Sequence, residues 1–256
     1  LLLRFAPVVT AEPTVMLAIV VLGAISALGG KVLKSVQTDV KRRLGCSTVG
    51  QMGFMIMQAG LGFFGAAITH LILHGFYKAY KFLSSGSRVE RTSPTSDETG
   101  GSLGVLGTAA ALLSAVAGGV VFVALTGKGA ALDSGLLLAG LVVLTTLHAT
   151  RTAIAGTSLP VAVRIGAIPL VFLPAIALYG VVYGVVERAL HGLPLVAAPA
   201  ELTVAHGLVA AAFLFAFLAI ETGAHRHSRR LYVALLNASR PPSATVLTET
   251  EDYNEY

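Results

Sequence analysis

The chain has 256 residues, of which 55% are hydrophobic and 12% are charged, and its mean hydropathy is +0.79. An average soluble domain carries about twice that share of charged side chains, so the composition excludes an ordinary soluble enzyme, a disulfide scaffold and a disordered tail. The single cysteine, Cys46, can form neither an intrachain disulfide nor a cysteine-based metal cluster. These figures predict an all-α integral membrane protein that crosses the bilayer several times.

Seven stretches are long and apolar enough to cross a membrane, because a helix needs about 20 residues to span about 30 Å of hydrocarbon. They cover residues 14–36, 44–62, 65–83, 103–125, 135–153, 161–186 and 202–220. Charges, prolines or glycine-containing turns bound each stretch. We therefore predict about seven transmembrane helices.

The predicted spans divide the chain into four segments. Residues 1–83 hold the end of a preceding helix and three spans, residues 84–102 form a cytoplasmic loop, residues 103–220 hold four spans and residues 221–256 form a cytoplasmic tail. The first residues resemble the end of a helix that has been cut open, without a basic leader or cleavage site. We therefore expect the chain to be a fragment of a longer protein.

The lysines and arginines predict how the helices are oriented. If the spans alternate in direction, Arg4, Lys128 and Arg188 fall on one side and Lys78 lies within the third span, whereas the others fall on the opposite side. The positive-inside rule places the more basic side in the cytoplasm. We expect a plasma-membrane protein whose fragment starts outside and whose C-terminus is cytoplasmic.

The net charge of +5 raises the question of nucleic-acid binding. A nucleic-acid site needs a basic face with a fold behind it, and the sequence predicts none. The basic cluster at residues 225–230 follows the last span, where it would meet anionic lipid head groups. We therefore expect membrane lipids, and no nucleic acid, as partners.

The third span carries a polar stripe. At about 100° per residue, His70, His74 and Lys78 lie within about 80° of one another, and Tyr77 and Lys81 fall on the same side of the helix. An ionisable group at the bilayer centre costs about 2.5–3.5 kcal/mol or more, so such groups persist where they face water, partners or transported ions. Groups one helical turn apart can pass protons along, which predicts a proton path.

Two other interpretations of this stripe stay open. The side chains could only hydrogen-bond to neighbouring helices. Alternatively, His70 and His74 could bind zinc, but this pair lacks the intervening glutamate of a zincin helix and has no third ligand in the span. In the preceding span, Gln51 and Gln58 form a weaker stripe that interhelical hydrogen bonding explains at least as well as a water path.

Several ordered motifs carry a family resemblance. They are Gln37-Thr-Asp39-Val-Lys41, Ser47-Thr-Val-Gly-Gln51 and His70-x3-His74-Gly-Phe-Tyr77-Lys78. Over about residues 1–90 the chain resembles the large antiporter-like subunits of respiratory complex I, in particular subunit 5 (L in bacteria), and their relatives in Mrp cation/proton antiporters. The resemblance implies an inverted-repeat bundle with discontinuous helices and a midplane row of proton-conducting residues.

By matching position, the resemblance assigns proton conduction to five residues of this chain: Asp39, Lys41, His70, His74 and Lys78. Tyr77, Lys81, Gln51 and His148 are accessory candidates. The family also places a lysine in a later helix, yet past Lys81 the only lysine is Lys128, in a predicted outward loop. The sequence therefore identifies no route by which protons would leave this half.

Within that family, the phrases Tyr77-Lys78-Ala79 and Leu231–Asn237 look like the DabB-type subunits of energy-coupled inorganic carbon pumps. Complex I subunit 5 ends in a long lateral helix, whereas Pro241-Pro242 would interrupt such a helix here. This branch implies a DabA-type, carbonic-anhydrase-like zinc subunit as partner, which would hydrate CO2 while this subunit couples that step to an ion gradient.

A complex I subunit 5 or an Mrp-type antiporter subunit is the alternative, with other membrane subunits of those assemblies as partners. In each case the chain is expected to perform no bond chemistry by itself and to bind no cofactor or metal. It would count as a translocase only as a part of complex I.

Overall fold

The computed structural model describes residues 2–37, 39–84, 104–129, 133–155, 161–193, 201–222 and 229–239. They form nine helices: α1 (Ala6–Val9), α2 (Pro13–Val36), α3 (Val40–Gly60), α4 (Phe64–Leu83), α5 (Gly104–Thr126), α6 (Ser134–Ala155), α7 (Val161–Leu190), α8 (Val204–Glu221) and α9 (Arg229–Ala238). Helices α2 to α8 coincide with the seven predicted spans to within a few residues, which confirms the all-α prediction. The predicted loop from residue 85 onward and the tail from residue 240 onward lie outside the described residues.

Three of the described helices contain a segment long and apolar enough to cross a membrane. These segments are Pro13–Val36, Gly107–Thr126 and Leu173–Leu190. Helices α6 and α8 contain shorter apolar stretches, Ser134–His148 and Val204–Ile220. Helices α3 and α4 have the predicted positions but are less apolar, because each carries a stripe of polar side chains.

The helices run between two ends of the bundle. We name one of them the basic end; the junction of α2 with α3 at Gln37 and the last residue of α4 lie there. At the opposite end, which we name the turn end, α3 and α4 are joined by Leu61–Phe63, where Gly62 adopts a φ of 88° that favours glycine. The Ser134 hydroxyl donates to the Leu61 carbonyl over 2.8 Å, so the start of α6 also lies at the turn end.

Glycines bring α2 and α3 into backbone contact. A Cβ atom added to Gly30 would lie 2.3 Å from the backbone nitrogen of Gly50, and one added to Gly23 would lie 2.5 Å from that of Met57. Small residues allow this close approach of membrane helices, whose association depends on packing rather than on hydrophobicity. The contact holds α3 in the position from which it meets α4.

The apolar core lies toward the turn end. Its fully buried members include Val20 of α2, Met57 of α3, Leu138 of α6 and Leu61 in the turn between α3 and α4. The buried Tyr183 of α7 belongs to the same cluster. Apolar contacts therefore join α2, α3 and the start of α4 to α6 and α7 at the turn end.

A helix lies within the segment that the sequence predicts as a tail. Helix α9 packs against the last turn of α2, where the Gln37 amide donates to the Ser239 hydroxyl over 2.7 Å. The Tyr232 hydroxyl donates to the Val36 carbonyl over 3.4 Å. These two contacts place α9 at the basic end, as the predicted alternation of the spans requires.

Candidate functional site

Three ionisable side chains of α4 share the side that faces α3, and we name them the α4 row: His70, His74 and Lys78. His74 is 8% exposed and the other two are partly buried, whereas Phe76 on the opposite side is 75% exposed. The rings of the two histidines meet edge to face with their centroids 5.9 Å apart. The row extends over about 12 Å of the helix axis.

Helix α3 supplies the polar partners of the α4 row. The Nδ1 atom of His70 lies 3.1 Å from the Oε1 atom of Gln58, and the Phe54 ring packs against the same imidazole with centroids 5.6 Å apart. The Lys78 ammonium donates to the Leu44 carbonyl over 2.9 Å. The row therefore lies along α3, with Gln58 near the turn end and Leu44 near the basic end.

The middle of the row contains an imidazole nitrogen without a protein partner. The Nε2 atom of His74 is buried and has no hydrogen-bond partner among the described residues. Buried polar atoms are nearly always satisfied, so an exception calls for a water molecule or a functional explanation. The Nε2 atom is therefore placed to exchange a proton with a water in the row.

The other residues assigned by the resemblance lie apart from the row. Asp39 and Lys41 are exposed at the basic end, and the Asp39 carboxylate caps α3 by accepting from the Arg42 backbone N–H over 2.8 Å. No described hydrogen bond or ring contact joins either residue to the row. Of the two, Asp39 thus has a structural role as the cap of α3.

Tyr77 contacts Lys81 and makes no described contact with the row. Its side chain is exposed, and the Lys81 ammonium lies 5.6 Å from the centre of its ring. The pair thus forms a cation–π contact at the edge of α4.

The remaining accessory candidates, Gln51 and His148, line a separate cavity of about 120 Å³ between α2, α3, α6 and α8. Lys31 and Lys34 line the same cavity, although the sequence analysis treats them only as charges of the basic side. The His148 ring also meets the Phe217 ring edge to face. Phe54 lies between this cavity and the α4 row, since it contacts His70 and lines the cavity.

The structure contains a second polar group that the sequence motifs do not bring together, which we name the α7 chain: Tyr179, Tyr183 and Glu187 of α7 with Lys128. The Tyr183 hydroxyl donates to the Glu187 carboxylate, and the Oε1 atom of Glu187 lies 3.5 Å from the Lys128 ammonium. The two tyrosine rings are nearly parallel, with centroids 6.4 Å apart. The spacing of i, i+4 and i+8 along α7 is a signal that could have revealed the three members.

Gln58 connects the two groups. Its Oε1 atom faces His70, and its side chain lies close to the Tyr179 hydroxyl. The Tyr179 hydroxyl also lies 3.4 Å from the Ala66 carbonyl of α4. A polar path therefore runs from Lys78 near the basic end, through Gln58, to Lys128 at the turn end.

The zinc interpretation of the histidine pair finds no third ligand nearby. Among the residues that the structure describes, no group of three or more histidine, cysteine, aspartate or glutamate side chains could hold a metal ion. The arrangement of the α4 row instead suits proton exchange, because each imidazole can accept at one nitrogen and release at the other.

Comparison with known proteins links the first half of the chain to a family. The family described as "NADH:quinone oxidoreductase/Mrp antiporter, TM" matches residues 1–127. A protein of Halothiobacillus neapolitanus named as a probable inorganic carbon transporter subunit, DabB1, is 51% identical over 86 residues, which cover 34% of this chain and 15% of the relative.

Two further relatives extend the comparison. The DabB protein of Bacillus subtilis is 41% identical over 140 residues, which cover 54% of this chain and 27% of the relative. The NADH-quinone oxidoreductase subunit L of Mycobacterium tuberculosis is 44% identical over 89 residues, which cover 34% and 14%. No solved structure matches the chain.

The matched region thus spans less than a third of each of these relatives. The region that the family model matches contains α1 to α5, with the whole α4 row. Two of the three relatives carry the DabB name and one is a complex I subunit, as the motifs predict. Over residues 1–127, just under half of its length, the chain is similar to the NADH:quinone oxidoreductase/Mrp antiporter membrane family.

Proposed function

We propose that this chain forms part of a proton-conducting membrane subunit and that the α4 row carries the protons. The observation that carries the proposal is the His70–His74–Lys78 row, buried against α3 and containing an unpartnered imidazole nitrogen. A purely structural row would satisfy each buried nitrogen, because an unsatisfied polar group costs about 1–3 kcal/mol.

The proposed transfer needs only small movements. A proton on the Lys78 ammonium passes to Nε2 of His74 through water, since the two residues lie one helical turn apart. His74 passes it to His70 by the same means, and the Nδ1 atom of His70 faces Gln58. We also propose that Asp39 and Lys41 collect protons at the basic end, and that this end faces the cytoplasm at the plasma membrane.

For the whole protein, we propose a subunit of an energy-coupled inorganic carbon pump. Among the three relatives described above, the DabB1 protein has the highest identity and the DabB protein of Bacillus subtilis has the longest matched stretch. The proposed partner is a DabA-type, carbonic-anhydrase-like zinc subunit that hydrates CO2, and the ion gradient would drive that step through this subunit.

A second candidate is a proton-pumping subunit of complex I, favoured by the 44% identity with subunit L. An Mrp-type antiporter subunit would use the same row. Purification of the full-length protein with its native partners separates the three: a zinc subunit supports the carbon pump, and a quinone-reducing assembly supports complex I. Sodium-dependent proton exchange would support the antiporter.

The proton-conducting role can be tested with the full-length subunit in its complex, reconstituted in liposomes that contain a pH-sensitive dye. We expect Lys78→Ala and His74→Ala to lower proton flux about 100-fold or more, because a positioned proton-transfer group typically contributes about 10²–10⁴-fold. Lys78→Arg keeps the charge and the contact with Leu44 but releases its proton poorly, so it should also be slow.

The exposed His191 at the turn end provides the matched control, and His191→Ala should leave flux unchanged. All variants should assemble like the wild type. Wild-type flux in both Lys78→Ala and His74→Ala would remove the α4 row from the mechanism.

A further inference from the structure

We propose that the α7 chain is the outlet of the proton path, with Glu187 as the terminal proton carrier at the turn end. The inference rests on the proposed function, because an outlet has meaning only if the α4 row conducts. It supplies the exit route that the sequence alone leaves unidentified.

The two polar groups lie close together. Gln58 faces His70 and lies beside the Tyr179 hydroxyl, which is 3.4 Å from the Ala66 carbonyl of α4. Because an amide carries no proton, a water beside Gln58 passes the proton from His70 to Tyr179. From Tyr179 the stacked ring of Tyr183 leads to the Glu187 carboxylate, and that carboxylate is paired with Lys128. Each neighbouring pair of groups is in direct contact or separated by one helical turn, which a single water can bridge.

The side chains of the α7 chain become more exposed toward Glu187. Both tyrosines lie inside the bundle, where Tyr183 is 3% exposed, and a buried hydroxyl persists where it has a hydrogen-bond partner. Glu187 lies at the end of the series with its side chain 39% exposed, while Lys128 is 19% exposed. Polar groups thus lead from the interior to a carboxylate that can meet water.

The hydroxyl and carboxylate groups of the α7 chain can transfer protons. A tyrosine hydroxyl can accept one proton and donate another. A proton that reaches the Tyr179 oxygen releases the hydroxyl proton of Tyr179 to a bridging water. The water passes a proton to the Tyr183 oxygen, and Tyr183 gives its own hydroxyl proton to the Glu187 carboxylate. Only O–H bonds form and break in this step, and the proton ends on the Glu187 carboxylate before it leaves to water. The Lys128 ammonium then balances the charge that the departing proton uncovers.

A structural interpretation also exists and makes different predictions. The ion pair and the hydrogen bond could simply tie α7 to the segment that follows α5. In that case the loss of Lys128 should harm the protein as much as the loss of Glu187, since either change breaks the same pair. A proton outlet instead requires a titratable carboxyl at Glu187 and tolerates a change at Lys128 better.

The test uses the full-length subunit in its complex, reconstituted in liposomes with a pH-sensitive dye. We expect Glu187→Gln to lower proton flux about tenfold or more, because the amide accepts the Tyr183 hydrogen bond but carries no proton. Glu187→Asp should recover part of the flux. Lys128→Met should lose only a few-fold, and Arg188→Gln, on the exposed neighbouring position, should match the wild type.

Assembly is measured for each variant by size-exclusion chromatography, and flux is normalised to assembled complex. Equal loss of flux in Glu187→Gln and Lys128→Met, or wild-type flux in Glu187→Gln, overturns the outlet. If Lys78→Ala abolishes flux while Glu187→Gln does not, only the outlet falls. If neither variant loses flux, the proposed function falls as well.

Discussion

The α4 row and the α7 chain meet at Gln58, yet they differ in chemistry. The α4 row consists of two imidazoles and an ammonium, and its partners on α3 are an amide and a backbone carbonyl. The α7 chain consists of two hydroxyls and a carboxylate that is paired with a cation. Groups that become positive when they are protonated therefore lie toward the basic end. The carboxyl group, which becomes negative when it loses its proton, lies at the turn end.

This difference suits a path with a direction. Imidazoles in the row can accept a proton at one ring nitrogen and release one from the other. Tyrosine hydroxyls hold an extra proton poorly and pass it on at once, so under the proposed function the α7 chain conducts protons toward a carboxylate. Uptake and release of protons would then occupy different helices of one bundle.

The largest effect should come from a change that breaks both groups at once. Gly30→Leu should prevent assembly of the subunit, because its side chain would meet the backbone of α3, which cannot move aside, and would displace Gln58 from both groups. Gly29→Leu is the matched control, since a Cβ atom at Gly29 meets nothing within 4 Å. The yield of folded subunit after detergent extraction measures the effect, and equal yields would contradict the packing argument.

A smaller effect is expected when only the junction is broken. Gln58→Leu keeps the size of the side chain but removes the contacts with His70 and Tyr179, so proton flux should fall about tenfold in an assembled complex. Gln51→Leu, two turns earlier on the same helix, faces the separate cavity and should reduce flux less. A larger loss in Gln51→Leu would place the path through that cavity instead.

A change within the α7 chain alone should be milder still. Tyr183→Phe removes the hydroxyl but leaves the ring stacked beside Tyr179, so a water can take over and flux should fall a few-fold. The exposed Tyr77→Phe should have no effect on flux. Liposome flux assays compare the two, and an equal response would show that the Tyr183 hydroxyl carries no protons.

The smallest effect concerns the basic end of the α4 row. If Asp39 only caps α3, Asp39→Asn should behave like the wild type, and Asp39→Ala should cost about 1 kcal/mol of helix stability. If Asp39 collects protons, both variants should lose flux, because asparagine cannot titrate. Flux and thermal stability measured together separate the cap from the proton collector.

Much of the fold and part of the site follow from the order of residues. The seven long helices follow from apolar stretches bounded by charges and turns, and α4 presents His70, His74 and Lys78 to one side because helical spacing requires it. The same reasoning applied to α7 would align Tyr179, Tyr183 and Glu187. It would not indicate which neighbour these side chains meet.

Local periodicity therefore accounts for which side chains share a helix face, since that depends only on the geometry of one helix. It does not predict that Tyr77 is exposed, and it leaves Gln58 with several explanations, because neighbouring helices decide which part of a polar face is buried. The connection of α3, α4 and α7 through Gln58 joins residues more than 100 positions apart. Only the packing of whole helices, held by glycine contacts between α2 and α3 and by the apolar core, brings such distant groups within hydrogen-bonding distance.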